Sequence, residues 1–223
     1  MKNPSKYDHI IWDWNGTLLD DAWLCVDVMN GVLSRRGMPT LTPEAYENIF
    51  GFPVIDYYRR LGFDFDRESF EVSGTEFIVE YEKRRHEARL QPGALETLKA
   101  VRAVGIPQSL LSAYKQGTLD ELTGYLGVKE FFTAVVGLDN HYAHGKVEAA
   151  RHLMAQIGLV SSHGEIQGKG ILLVGDTVHD REVGDAIGVE CVLVPSGHQS
   201  RARLERLGVP VLDSVSEVIG LVR

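Results

Sequence analysis

Cysteine is almost missing from this chain. Of 223 residues only Cys25 and Cys191 carry thiols, far apart and without CxxC spacing. Neither a disulfide framework nor a zinc site is suggested, and both thiols, set in apolar stretches, are expected to be buried. Long apolar runs are missing too: nothing approaches the ~20 residues of a membrane helix, and the opening Met1-Lys2-Asn3-Pro4-Ser5-Lys6 has no apolar signal core. No membrane partner and a cytoplasmic location are expected, and the sequon Asn15-Gly16-Thr17 then carries no meaning. Basic charge is in deficit, with 23 Lys and Arg against 31 Asp and Glu for a net −8, which disfavours nucleic acid. That balance does not exclude a phosphorylated substrate, because local cations decide such a site. There is no internal repeat or low-complexity tract. The length allows one large or two small domains, the 44% hydrophobic content supports a core, and monomer and homodimer are both compatible with it.

What is present is organised around His9-Ile10-Ile11-Trp12-Asp13-Trp14-Asn15-Gly16-Thr17-Leu18. The apolar run reads as a buried strand, and Asn-Gly marks the turn after it. Asp13 is thereby delivered to the carboxyl end of a strand, where ligands bind in open parallel sheets. A second segment, Ile171-Leu172-Leu173-Val174-Gly175-Asp176-Thr177-Val178-His179-Asp180, repeats the design with another acid four residues on. Two such strand ends side by side make an acidic pocket that calls for a cation, and an all-oxygen donor set suits Mg²⁺.

Between these segments the rhythm changes. Ala22, Cys25, Val26, Met29, Val32 and Leu33 share one helical face after Asp20 and Asp21, and Arg35 and Arg36 close the helix. Thr42-Pro43-Glu44 opens a second helix, a third covers about 54–61, and a long one about 68–89. No strand is read within residues 20–90. From Pro92-Gly93 onward helices and strands alternate, with strands ending at Ser112 and covering 132–136, 171–175, 190–194 and 209–212. Such alternation predicts an α/β fold with a doubly wound parallel sheet, interrupted after its first strand by an all-helical insert.

Asp13-x-Asn15-Gly16-Thr17-Leu18, a strand ending in Ser112, Lys146, and Gly175-Asp176-Thr177-x-x-Asp180 follow one another in the order of the four motifs of the haloacid dehalogenase superfamily. The chain resembles that family over nearly its whole length, and its phosphoglycolate-phosphatase-like branch most. The resemblance implies a Rossmann-like core of residues 1–19 and 90–223 and a mobile helical cap of residues 20–89, hinged near 18–21 and 88–92. It implies a phosphatase for a small phosphorylated metabolite, with Asp13 as nucleophile. Mg²⁺ would be held by Asp13, the backbone carbonyl of Asn15 and Asp176. Asp180 would support the metal or pair with Lys146. Ser112, Lys146 and the backbone N–H groups of Trp14, Asn15 and Ala113 would cradle the phosphate. Substrate contacts are expected from Phe50, Gly51, Phe52 and Pro53, with Arg59 or Arg60 for a second anionic group.

Other polar residues carry less. Ser109 falls mid-strand, Lys169 lies in a glycine loop too short for a phosphate loop, Asp185 continues the helix after Asp180 and at best stands behind the site, and His141 and His144 read as surface histidines. The departure from the family is Asn15, where most of its phosphatases carry an acid that protonates the leaving oxygen. An amide has no such proton, and that help is worth roughly 10²–10⁴-fold. A slow phosphatase, a non-hydrolytic sensor of phosphorylated metabolites, and a phosphonatase or phosphomutase relative all remain open at this stage. Residues 20–82 contain no lysine for the imine a phosphonatase needs.

Overall fold

A computed structural model describes residues 6–139, 145–159 and 166–222. Its first strand, β1 (His9–Trp12), is buried along its whole length. A central strand covered on both faces has no polar side to display, so it reads as an unbroken apolar run. A two-residue strand, β2 (Leu19–Asp20), leads into four helices: α1 (Ala22–Ser34), α2 (Pro43–Ile49), α3 (Val54–Leu61) and α4 (Phe70–Arg84). Strand β3 (Arg89–Leu90) then returns antiparallel to β2, pairing Leu19 with Leu90 and Asp20 with Arg89.

The remaining elements are α5 (Ala94–Ala103), β4 (Gln108–Lys115), α6 (Gln116–Tyr125), β5 (Ala134–Leu138), α7 (Lys146–Gln156), β6 (Ile171–Gly175), α8 (Val178–Ile187), β7 (Glu190–Leu193), α9 (Arg201–Leu204) and α10 (Val218–Leu221). Five strands form a parallel sheet in the order β5-β4-β1-β6-β7. Alternate residues feed two cores. Ile10, Trp12, Leu110 and Val174 pack with Leu98 and Val101 of α5 and Leu119 of α6. On the other face Ile11, Leu111 and Leu173 pack with Leu153 of α7 and Val183 of α8. The chain leaves β1 for β4 and β5 on one side and returns to β6 and β7 on the other. The strand order therefore reverses at β1, which places a crevice at its carboxyl end.

The four helices between β2 and β3 have a core of their own, in which Met29, Val32, Tyr46, Tyr57, Tyr58 and Phe63 are buried. Thr42 caps α2 by accepting from the Ala45 N–H at 3.2 Å, with Pro43 in the first turn, as the cap-then-proline signal predicts. Among the described residues no helix is long and apolar enough to cross a membrane.

Several local expectations are corrected. Residues 20–90 were expected to lack strands, yet β2 and β3 close the insert as a ribbon of two residues each, too short to leave an alternating pattern. The helix expected to run to residue 89 stops at Arg84 and tightens into a 3₁₀ turn (Arg85–Glu87), freeing Arg89 and Leu90 to pair. The strand expected at 209–212 is a single bridge between Leu193 and Val211, beside Pro210, which has no N–H to offer a ladder. Strand β4 does not end at Ser112: its pairing with β5 slips after Leu111 and resumes at Lys115. Cys191 is buried as expected, but Cys25 is only half-buried.

Candidate active site

Asp13 follows β1 directly, and its N–H donates to the Val174 carbonyl of β6 at 2.9 Å. That bond fixes the residue between the two central strands, with its side chain in the crevice and only 5% of the residue exposed. Lys146, the first residue of α7, donates from Nζ to Asp13 Oδ1 and, at 2.6 Å, to Asp180 Oδ1. A cation in the first turn opposes the helix dipole, so its place here depends on those two acids. Burial alone would lower the Lys146 pKa, but Asp13 and Asp180 raise it above the ordinary lysine value, so the side chain is charged.

Asp180 is also the third residue of a capping box on α8: its Oδ2 accepts from the Thr177 N–H at 3.0 Å and the Thr177 hydroxyl at 2.6 Å. Burial pushes its pKa up, and the Lys146 charge and these bonds outweigh burial and hold it below the usual range. Asp176 ends β6. Its Oδ2 accepts from the His198 backbone N–H at 2.6 Å, and its Oδ1 lies 3.1 Å from the Thr17 hydroxyl, which is equally 3.1 Å from Asp13 Oδ2. Gly16 is required at the turn: with φ of +75°, a Cβ there would stand 2.3 Å from Asp176 Oδ2.

Oxygens of Asp13, Asp176 and Asp180 lie within 4.8 Å of one another, all buried. Three carboxylates against one ammonium leave an excess of two negative charges. Burial and the neighbouring acids accordingly push the Asp13 and Asp176 pKa values up. Hard oxygen donors with an uncompensated charge of two fit a divalent cation of the Mg²⁺ kind. Lys146→Met would leave two buried acids without their cation, since only 4% of the lysine side chain is exposed. We expect a loss of about 3 kcal/mol, or roughly 10 °C in Tm. Melting curves with EDTA and with Mg²⁺ check it, and Mg²⁺ should recover part of the loss.

Ser112 lies beside Asn15, with its Oγ 3.5 Å from Asn15 Oδ1, and accepts from the Tyr114 N–H at 3.0 Å. The Asn15 amide donates to Asp21 Oδ2 at 2.8 Å and to the Tyr81 hydroxyl at 3.2 Å. Asp21 stands just before α1, where an acid suits the helix dipole. It is the N-cap residue, but its side chain does not cap. It turns inward and accepts from the Gly16 N–H at 2.8 Å and the Tyr81 hydroxyl at 2.7 Å.

His198, in the loop after β7, stands 3.6 Å from Asp21 through Nε2. Its Nδ1 is 2.8 Å from the Tyr46 hydroxyl of α2. Burial lowers the His198 pKa, but Asp21, Asp176 and Asp13 overcome that and raise it to about 9. Thr17, Asp21, Tyr46, Tyr81 and His198 were not foreseen. Their one sequence signal was position, at or just after the carboxyl ends of strands or on the insert facing them.

A cavity of about 210 Å³ opens above Asp13, Ser112, Ala113, Lys146, Asp176 and Asp180 and is roofed by the helical insert, Phe50 and Phe52 included. Gly51, Arg59 and Arg60 do not line it. Gly51 faces the side chains of Arg203, Arg60 and Gln199. Arg59 is exposed and paired with Asp56, and Arg60 donates to the Ile49 carbonyl at 2.9 Å. Tyr57 and Tyr58 occupy the buried side of α3, which turns the two arginines that follow outward. Ser109 bonds His9 and Thr133 instead of reaching the crevice. Lys169 is exposed, Asp185 pairs with Arg181 at 2.7 Å, and His141 and His144 lie outside the described residues.

The chain is similar to known proteins. The chain is 28% identical to a 5'-nucleotidase of Pseudomonas aeruginosa over 89% of its own length and 87% of that protein. It is 26% identical to a phosphoglycolate phosphatase of Pseudomonas syringae, covering 94% of this chain and 78% of that one. It is also 23% identical to the tyrosine-protein kinase PtkA of Mycobacterium tuberculosis, over 95% of this chain and 72% of the kinase. A haloacid dehalogenase-like hydrolase from Streptococcus pneumoniae superposes with a TM-score of 0.81 at 16% identity, covering 96% of this chain and 98% of that structure, a likeness of fold alone. The family model of haloacid dehalogenase-like hydrolases matches residues 10–194, from the strand that delivers Asp13 to the one after Asp180, and the chain belongs to that family.

Proposed function

We propose that the protein is a Mg²⁺-dependent phosphatase acting on a small, cytoplasmic phosphorylated metabolite through an aspartyl-phosphate on Asp13. The observation that carries this reading is the placement of Asp13: a carboxylate at the reversal point of the sheet, bonded to a buried lysine and within reach of a second acid. The names of the phosphatase and nucleotidase relatives agree with it.

In this reading an Asp13 oxygen attacks the phosphorus, and Lys146, Ser112 and the N–H groups of Trp14, Asn15 and Ala113 hold the phosphoryl oxygens. Asp13, the Asn15 carbonyl and Asp176 would hold Mg²⁺, with Asp180 orienting Lys146 and supporting the site. When bound, the ion neutralises charge on the transferring phosphoryl group. Residues 20–89 act as a cap over the core, excluding water and supplying the walls that meet the leaving group. Asn15 orients its neighbours but gives no proton, so alkyl leaving groups depart slowly.

The test is phosphate release from a panel of phosphorylated metabolites and an aryl phosphate, with and without Mg²⁺, beside Asp13→Asn. Metal-dependent release that disappears in the variant is the expected result. Tight phosphate-ester binding with no release and no trapped phospho-Asp13 would instead mean a sensor.

A further inference from the structure

We infer that the leaving group of the substrate is an uncharged aromatic alcohol, making the substrate an aryl phosphate monoester. The inference rests on the phosphatase reading and narrows it. Its first support is the cavity wall opposite Asp13, built from Phe50, Phe52, Tyr57, Phe77, Ile78 and Tyr114. A site of about 210 Å³ suits a ring attached to a phosphoryl group. It lies below the roughly 300–1,000 Å³ of sites for larger ligands such as nucleotides.

The second support is charge. Among the described lining residues the cations are Lys146, held by two acids, His198, facing Asp21, and Lys115, an exposed residue. The acid Glu82 is part of the same wall, accepting from the Tyr114 hydroxyl at 2.6 Å. Arg36 pairs with Glu68 and Glu76, Arg59 with Asp56, and Arg84 with Asp27 and Glu87. A carboxylate or second phosphate on the leaving group would lose its water against this wall, where Lys115, the one described lining cation outside those pairs, is itself exposed to solvent. A ring without charge avoids that loss.

The third support is Asn15. A phenol ionises near ~10, against ~16 for water, so an aryloxide departs without a proton donor. An Asp13 carboxylate oxygen attacks phosphorus, the bond to the aryl oxygen breaks, and the aryloxide leaves with the electron pair and takes a proton from water. Water then attacks the same phosphorus, the bond to the Asp13 oxygen breaks, and free phosphate departs while the water's proton passes to solvent. Asp13 is left as a carboxylate.

The experiment compares initial rates with Mg²⁺ on phenyl phosphate, cyclohexylmethyl phosphate and 2-phosphoglycolate, in the wild type and in Ile78→Arg. The last two substrates both have alkyl leaving groups, so their ratio reports the cavity and not the ease of departure. We expect the cyclohexylmethyl ester to be favoured over phosphoglycolate by about 10- to 100-fold in kcat/KM, and phenyl phosphate to exceed both. Ile78→Arg should raise KM for phenyl phosphate about tenfold, by placing a charge in the apolar wall, and narrow that ratio. Phosphoglycolate turned over as well as the cyclohexylmethyl ester overturns the inference and leaves the phosphatase standing. This wild-type comparison decides even if the variant fails to fold. Release from none of the three above the Asp13→Asn background overturns the phosphatase reading, and the inference with it.

Discussion

Asp13→Asn is expected to lower phosphate release by about 10⁴-fold or more while leaving the protein folded. The amide keeps the shape of the carboxylate: its oxygen can accept from Lys146 in place of Oδ1, and its NH₂ then faces the Thr17 hydroxyl oxygen in place of Oδ2. It has no anionic oxygen to attack phosphorus. The variant also removes one of three crowded negative charges, which relieves the like-charge pressure that Asp13 adds to the burial of Asp176. Its Tm without metal should therefore equal or exceed that of the wild type, and its Mg²⁺ affinity should fall. Phosphate assays, thermal melts and metal titration check the three parts separately. Loss of rate with loss of fold would say that Asp13 is a structural anchor.

Asn15→Asp is expected to raise turnover of an alkyl phosphate by about 10³-fold, with little change on an aryl phosphate that needs no proton donor. The new carboxyl would stand where the Asn15 amide now lies 2.8 Å from Asp21 Oδ2. Two acids at that separation share a proton, and the pair titrates with one pKa raised. The raised pKa keeps a proton available for the leaving oxygen near neutral pH, so the alkyl rate should fall as pH rises through it. Stability follows the same sign. A carboxyl whose folded pKa exceeds its unfolded value is an advantage below the unfolded pKa, and that advantage is lost as pH rises through the folded one. Asn15→Asp should therefore melt lower, relative to wild type, at pH 8 than at pH 5. Adding Asp21→Asn removes the like charge and should move the rate limb to lower pH. Intact mass must accompany these assays, because Asn15 precedes Gly16 and Asn-Gly sequences deamidate. An unchanged alkyl rate in Asn15→Asp would mean that Asn15 does not limit the reaction.

Legibility differed between elements for physical reasons. β1 and β6 were readable because strands covered on both faces are continuous apolar runs, and each is followed directly by its acid. The β2–β3 ribbon and the Val211 bridge were not, since pairings of one or two residues leave no period. Asp13, Asp176 and Asp180 could be singled out because each follows its strand within a few residues. Lys146 stood out as a cation at a helix start. His198 and Asp21 could not be singled out. Their meaning lies in each other and in Tyr46 and Tyr81, contacts that cross the whole chain. Arg59 and Arg60 misled because composition shows that a helix carries cations but not which side of it is buried by Tyr57 and Tyr58.

By itself the sequence determined the α/β alternation, the place of the helical insert and the acids at the strand ends. These are local properties, written in periods of two and 3.6 residues and in turn chemistry. Only the tertiary structure decided what surrounds the acids. It brought Lys146 between Asp13 and Asp180, turned Asp21 inward from the start of its helix to Asn15, and faced the site with an aromatic wall instead of the expected arginines. Charge compensation and burial depend on distances between residues far apart in the chain, and those distances exist only once the sheet and the insert have packed together.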